Sequence, residues 1–165
     1  MLLGNTLPMS SAGQAAAKLR FLAFLESKNL RLTSQRSAII DTAFSTHEHF
    51  TADQLLAWSR QRDSSVSRAT VYRTLPLLTE SGLVREMDFG GDHKFYDPNY
   101  AEHPDHNHII CKDCNRIIEF ESDTIARLEK QISHKLGFSV TSQRLQITAS
   151  CDEFKRLGRC TKKPD

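Results

Sequence analysis

The sequence predicts an α+β protein in two parts, a helical segment closed by a β-hairpin and then a smaller mixed α/β segment. Three observations predict it. Helical periodicity dominates residues 15–82, strand-like stretches begin only after Gly82, and all four cysteines (Cys111, Cys114, Cys151 and Cys160) lie in the second part. At 165 residues the chain is longer than the roughly 100–150 residues of a common domain, so two small domains are available, each with a thin core. A hydrophobic content of 39% with 25% charged residues suits a folded chain rather than a disordered one.

Residues 1–14 include Gly4, Pro8, Ser10, Ser11 and Gly13 without sustained periodicity and are expected to form a flexible arm. Leu19, Phe21, Leu22 and Leu25 recur at helical spacing across 15–28, and Thr33 precedes a second run holding Ile39, Ile40, Ala43 and Phe44. Thr51 starts a third helix with Leu55, Leu56 and Trp58 on its apolar side, ending near Arg62. Ser67 can cap a fourth, in which Val71, Leu75 and Leu78 share a face and Gly82 is a natural stop. Pro76 removes a backbone donor from that helix and should bend or loosen its second half. Leu83–Met87 and His93–Tyr96 then read as strands around the turn residues Gly90-Gly91-Asp92. Helices followed by such a hairpin spell a winged helix, predicted over 15–97.

The polar stretch 98–107, with Pro98 and Pro104, interrupts every pattern and is expected to be a hinge. Beyond it, over 108–165, His108–Cys111 and Arg116–Phe120 look like strands flanking a Cys-x-x-Cys turn. Ile125, Leu128, Ile132 and Leu136 mark a helix over 122–136 ended by Gly137, and Gln143, Leu145, Ile147 and Ala149 alternate along a third strand leading to Cys151.

The net charge, 22 Lys+Arg against 20 Asp+Glu, is only +2, which excludes a uniformly basic nucleic-acid coat. Residues 16–85 carry ten Lys+Arg and six Asp+Glu, +4, and Arg60, Arg62, Arg68 and Arg73 cluster around the fourth helix. On its outer side Arg68, Thr70, Tyr72 and Arg73 offer charge, a hydroxyl and an aromatic ring, the chemistry required to grip phosphates and touch base edges of double-stranded DNA. A solvated helical face would also account for the charge. No apolar run reaches the roughly 18 residues of a membrane span, and the opening residues lack an export signal, so a cytoplasmic location without membrane contact is expected.

The same absence favours zinc over two disulfides for the cysteines, because Cys111-Lys-Asp-Cys114 has the gap of a metal knuckle. Cys111, Cys114, Cys151 and Cys160 would make a closed tetrahedral site with no place for a small-molecule substrate, contributing folding energy to a domain of about 60 residues. Reduced cysteines that merely lie close are the alternative. A second ligand group contains no sulfur: His106 and His108 alternate on a strand, with Asp97 and Glu119 near in sequence and His49 able to join if the first domain folds onto the junction. Imidazoles with carboxylates favour divalent iron, manganese or zinc. His47, His93 and His134 read as ordinary surface or core histidines.

Taken together, Leu32-Thr33-Ser-Gln-Arg36, His49-Phe-Thr-Ala-Asp53, Ser67-Arg-Ala-Thr-Val-Tyr-Arg-Thr-Leu75 and His106-Asn-His-Ile-Ile-Cys-Lys-Asp-Cys114 resemble the ferric uptake regulator (Fur) family over about 15–160. The resemblance implies a homodimeric, metal-dependent DNA-binding repressor with a winged-helix domain and a small α/β dimerisation domain. It places a regulatory site for Fe²⁺ or Mn²⁺ (Zn²⁺ in vitro) on His49, Asp97, His106, His108 and Glu119, structural Zn²⁺ on the four cysteines, and base contacts on Tyr72 and Arg73. A further site of part of the family would need ligands where this chain has Asp105, Asn107, Ala126 and Gln143, and is expected to be absent or crippled. Asn115 stands where the knuckle usually has glycine, and can take the same left-handed turn. Asp97 resembles the peroxide-responsive branch and Glu119 the iron-responsive one, so an iron-responsive repressor is the leading expectation and a peroxide sensor the alternative. A zinc-dependent nucleic-acid enzyme is disfavoured, since a deaminase would need Pro-Cys-x-x-Cys and Cys111 follows Ile110.

Overall fold

A computed structural model describes residues 11–46, 48–88, 94–98, 106–114, 116–143 and 145–160. The expected hairpin turn at Gly90-Gly91-Asp92, most of the expected arm and hinge, and His47, His93, Asp105 and Asn115 lie outside the described residues. The chain divides into two compact units, one taking the described residues up to 98 and the other those from 106 on.

The first unit runs α1 (Ser11–Ser27), α2 (Ser34–Ser45), α3 (Ala52–Arg62), α4 (Arg68–Glu80), β1 (Arg85–Asp88) and β2 (Lys94–Asp97). α1 begins three residues before the expected end of the arm at 14. Ala12, Ala15, Ala16 and Ala17 are strong helix formers, and Ala17 is buried, so the helix extends toward the N-terminus with no polar signal to announce it. The other starts are capped locally. Thr33 accepts from the Arg36 N–H, Thr51 forms a reciprocal capping box with Gln54, and Ser67 accepts from the Thr70 N–H. One face of each helix supplies the core: Phe21 and Leu25, Ile39 and Ile40, Leu55, then Val71, Leu75 and Leu78, with Leu83 and Val84 sealing it below the hairpin. α4 continues through Pro76 to Glu80 because the proline sits on the exposed side while Leu75 and Leu78 anchor both halves. Gly82, at φ +71°, then turns the chain into the hairpin, a conformation costly for other residues. β1 and β2 pair antiparallel, Glu86 opposite Tyr96. Phe50 adds a bridge to Tyr96, exchanging N–H···O bonds of 3.1 and 2.8 Å.

The second unit has β3 (Asn107–Cys111), β4 (Ile117–Phe120), α5 (Asp123–Lys135), β5 (Gln146–Ala149) and α6 (Asp152–Leu157). β3 is central, antiparallel to β4 and parallel to β5, in the order β4-β3-β5. Asn107, expected in the hinge, instead opens β3. It is 2% exposed and its side-chain oxygen accepts from the Leu145 N–H at 3.2 Å, a partner 38 residues away that local sequence cannot reveal. Ser122 caps α5, which has no buried residue, and Leu128, Ile132 and Leu136 are exposed along it. α6 was not anticipated from periodicity, being too short to show any.

Candidate metal centres and nucleic-acid face

The thiol cluster is assembled by β3 and α6. Cys111 is the last residue of β3, and its N–H bonds to the Arg116 carbonyl at 2.9 Å across the turn that carries Cys114. Asp113, between them, accepts the N–H of Cys151 at 2.7 Å and so ties the knuckle to the C-terminal segment. Cys151 caps α6, its sulfur accepting from the Phe154 N–H, and Gly158 at φ +66° ends the helix so that the chain doubles back. Cys160 thereby returns to 3.9 Å, sulfur to sulfur, from Cys151. Four thiolates at zinc–sulfur distances of about 2.3 Å span a tetrahedron with edges of about 3.8 Å, so this spacing fits zinc and is about twice a disulfide bond. Cys111, Cys114 and Cys151 have ligand atoms within 4.8 Å of one another. Burial, with the neighbouring Cys111 and Cys160 thiols, pushes the Cys114 thiol up to about 11. On Cys111 burial also acts upward, but the N–H groups of Cys114 and Asp113 and the Cys114 thiol outweigh it and hold that thiol below its ordinary value.

The second cluster sits at the other end of β3. His106 and His108 are 4% and 7% exposed, their rings 4.6 Å apart at 68°. Glu119 lies directly opposite His108 in the β3–β4 register, and its carboxylate reaches to 3.8 Å from His106 Nε2. These three present ligand atoms within 4.8 Å of one another, and the donor set fits a divalent ion of intermediate softness. In the winged-helix unit Asp97 ends β2, fully buried, and His49 is half-buried. The antiparallel Phe50–Tyr96 bridge puts the backbones of His49 and Asp97 at adjoining cross-strand positions, a proximity that no local motif in the sequence announces.

Along α4, Tyr72 is 52% exposed and Arg73 is exposed beside it. Arg68 is exposed and paired with Asp53 at 2.8 Å. Thr70 differs from the outward reading. Its hydroxyl donates to the Gln35 side chain at 2.7 Å and shares a bond with Ser67, fastening α4 to α2. Arg60 and Arg62 are likewise turned to structure, bonding the Val66 carbonyl and the Ser45 hydroxyl. In their place Arg31 and Arg36 join Arg73, Gln35 and Thr70 around a groove of about 360 Å³ at the start of α2. Charge counting around α4 alone passed over these two arginines, because they come from a different helix junction. No helix among the described residues is long and apolar enough to cross a membrane.

A winged helix with a basic outer face, joined to a small α/β unit that carries two clusters of metal-ligating side chains, defines a class of metal-binding helix-turn-helix proteins. Residues 27–148 match the model of the ferric uptake regulator family. The ferric uptake regulation protein of Campylobacter jejuni is 37% identical over 136 residues, spanning 81% of this chain and 85% of its own. A peroxide-responsive repressor of Staphylococcus epidermidis is 33% identical over 137 residues, 83% of this chain and 89% of its own. Among solved structures, the ferric uptake regulator of Helicobacter pylori superposes with a TM-score of 0.80 at 21% identity, covering 90% of this chain and 97% of its own, and so shares the fold. The chain belongs to the ferric uptake regulator family.

Proposed function

We propose that the protein is a homodimeric transcriptional repressor that binds double-stranded operator DNA and whose affinity is set by Fe²⁺ or Mn²⁺. The observation that carries this reading is the cluster of buried His106 and His108 with half-buried Glu119. His49 and Asp97 of the winged-helix unit are the further donors that the family resemblance assigns to this ion. Zinc at the four cysteines supplies a closed tetrahedral staple when bound, and these residues take no part in reading DNA. Tyr72 and Arg73 face base edges, while Arg68 holds phosphate. By linkage the ion raises DNA affinity only as far as the binding-competent arrangement holds it more tightly than the other one does. Gel-shift titration with the zinc site loaded tests this: operator affinity rises when Fe²⁺ or Mn²⁺ is added, and equal affinity with and without either ion refutes it. Nucleic acid is expected to be bound without turnover.

A second copy of the chain is the partner for α5. Leu128, Ile132 and Leu136 are 53%, 49% and 68% exposed, and Phe138 just beyond them is 71% exposed, an apolar stripe that burial against its own copy removes from water.

The likeness to a peroxide-responsive repressor favours a second reading, in which iron held by the same residues directs peroxide onto His106 or His49. Mass spectrometry after peroxide treatment of the iron-loaded protein would then find one added oxygen on either histidine. Reversible loss of DNA binding with both histidines unmodified excludes it.

A further inference from the structure

α6 brings a second kind of donor to the thiol cluster. Glu153 stands two residues after the capping Cys151, on the first turn of a helix whose length returns Cys160 to the same place. A carboxylate oxygen of Glu153 lies in one group with the sulfurs of Cys151 and Cys160, all within 4.8 Å of one another, and one of its oxygens is almost completely shielded from water. Cys151 also belongs to the group formed with Cys111 and Cys114, so the two groups meet at its sulfur and together offer five ligand atoms where a tetrahedral ion takes four. A carboxylate so near two sulfurs repels them once they ionise, and only a cation among them makes the arrangement favourable.

We propose that Glu153 is a reserve ligand of the zinc site, able to replace Cys160. Zinc binds carboxylate oxygen at about 2.0–2.2 Å and thiolate at about 2.3 Å, so the exchange needs little movement of the other three ligands. Cys160 is the ligand to leave. Cys111 is fixed by β3, Cys114 by the knuckle, and Cys151 by the Asp113 bond and its own capping role, whereas Cys160 follows α6 on a segment beyond the left-handed Gly158. Glu153, on the helix itself, stays in place when Cys160 departs. The site therefore tolerates loss of one sulfur and keeps its metal with three thiolates and a carboxylate.

This inference rests on the zinc reading of the cluster, and the test separates the two. Purified parent protein, Cys160→Ser and Cys160→Ser/Glu153→Gln are assayed for zinc content, then for zinc release to a chelator. A parent chain without zinc overturns the zinc reading itself. With zinc in the parent, the expected result is that Cys160→Ser retains about one zinc per chain, and that the double variant releases it about 10–100-fold faster. Cobalt(II) in Cys160→Ser should keep the visible bands of a tetrahedral ion while thiolate charge-transfer absorption falls to about three quarters of the parent value, three sulfurs replacing four. Release from Cys160→Ser as fast as from the double variant, or a Cys160→Ser protein that is zinc-free or unfolded, overturns the proposal. In the otherwise intact chain, Glu153→Gln is expected to slow alkylation of Cys160 by iodoacetamide in the zinc-loaded protein, because no anionic carboxylate then stands in as the sulfur leaves. An unchanged or faster rate counts against it.

Discussion

Replacing Phe50 by alanine tests whether the winged-helix unit is organised around the segment that carries His49. Phe50 is 0% exposed, stacks on Tyr96 at 5.9 Å and meets the edge of Trp58 at 6.3 Å. Truncating a buried phenylalanine costs about 3–5 kcal/mol through lost burial and the cavity left behind, a total that includes about 0.5–1.5 kcal/mol for each aromatic pair. With a urea dependence of about 2 kcal/mol per molar for a unit of this size, the midpoint should fall by about 2 M. Trp58 is the sole tryptophan, so its fluorescence reports the transition locally while far-ultraviolet circular dichroism reports it globally. Phe50→Leu keeps most of the volume and the backbone bridge to Tyr96, should cost about 1 kcal/mol, and should leave the metal response of operator binding intact. A midpoint shift below about 0.5 M for the alanine variant, with both probes coincident, would show that the aromatic cluster is not the organising contact.

Four further outcomes are expected. Arg73→Ala should weaken specific DNA binding by about 1–3 kcal/mol if the guanidinium reads a base, with little change on random DNA, and competition gel shifts with both DNAs separate this from phosphate contact, which weakens both. Asp113→Ala removes the acceptor that holds the Cys151 N–H and should speed zinc loss to a chelator by about tenfold, read by a colorimetric zinc dye. Ile132→Glu should shift the dimer toward monomer in sedimentation without altering the urea midpoint reported by Trp58. Burial and the Glu86 carboxylate push the Tyr96 phenol up to about 12, so folding favours its neutral form. That stabilisation is present below pH 10, the ordinary value, and is lost as pH rises from 10 toward 12; Tyr96→Phe should lack this loss, of order 1–2 kcal/mol, in urea titrations across that range.

What could be read from the sequence follows the reach of the interaction that makes it. Thr33, Thr51 and Ser67 cap helices through bonds to residues three positions on, so α2, α3 and α4 begin where the pattern says. His106 and His108 share a face through strand alternation alone, and the Cys-x-x-Cys knuckle is self-contained. The inward turn of Thr70 depends on Gln35, 35 residues away, and the placement of His49 beside Asp97 depends on a single bridge between Phe50 and Tyr96. Neither leaves a periodic trace. The eight residues between Cys151 and Cys160 make a long spacing for a ligand pair, and α6 shortens the path between them.

β3 carries His108 near one end and Cys111 at the other, three residues or about 10 Å apart, with the β5 hydrogen bonds running beside both. The strand works like a beam clamped at one end: slackening the thiol clamp frays the Cys111–Ala149 pairing first and the histidines next. On the proposed reading of the two clusters, starving such a protein of zinc would therefore weaken its hold on the ion at the histidines, even with every ligand of that ion in place.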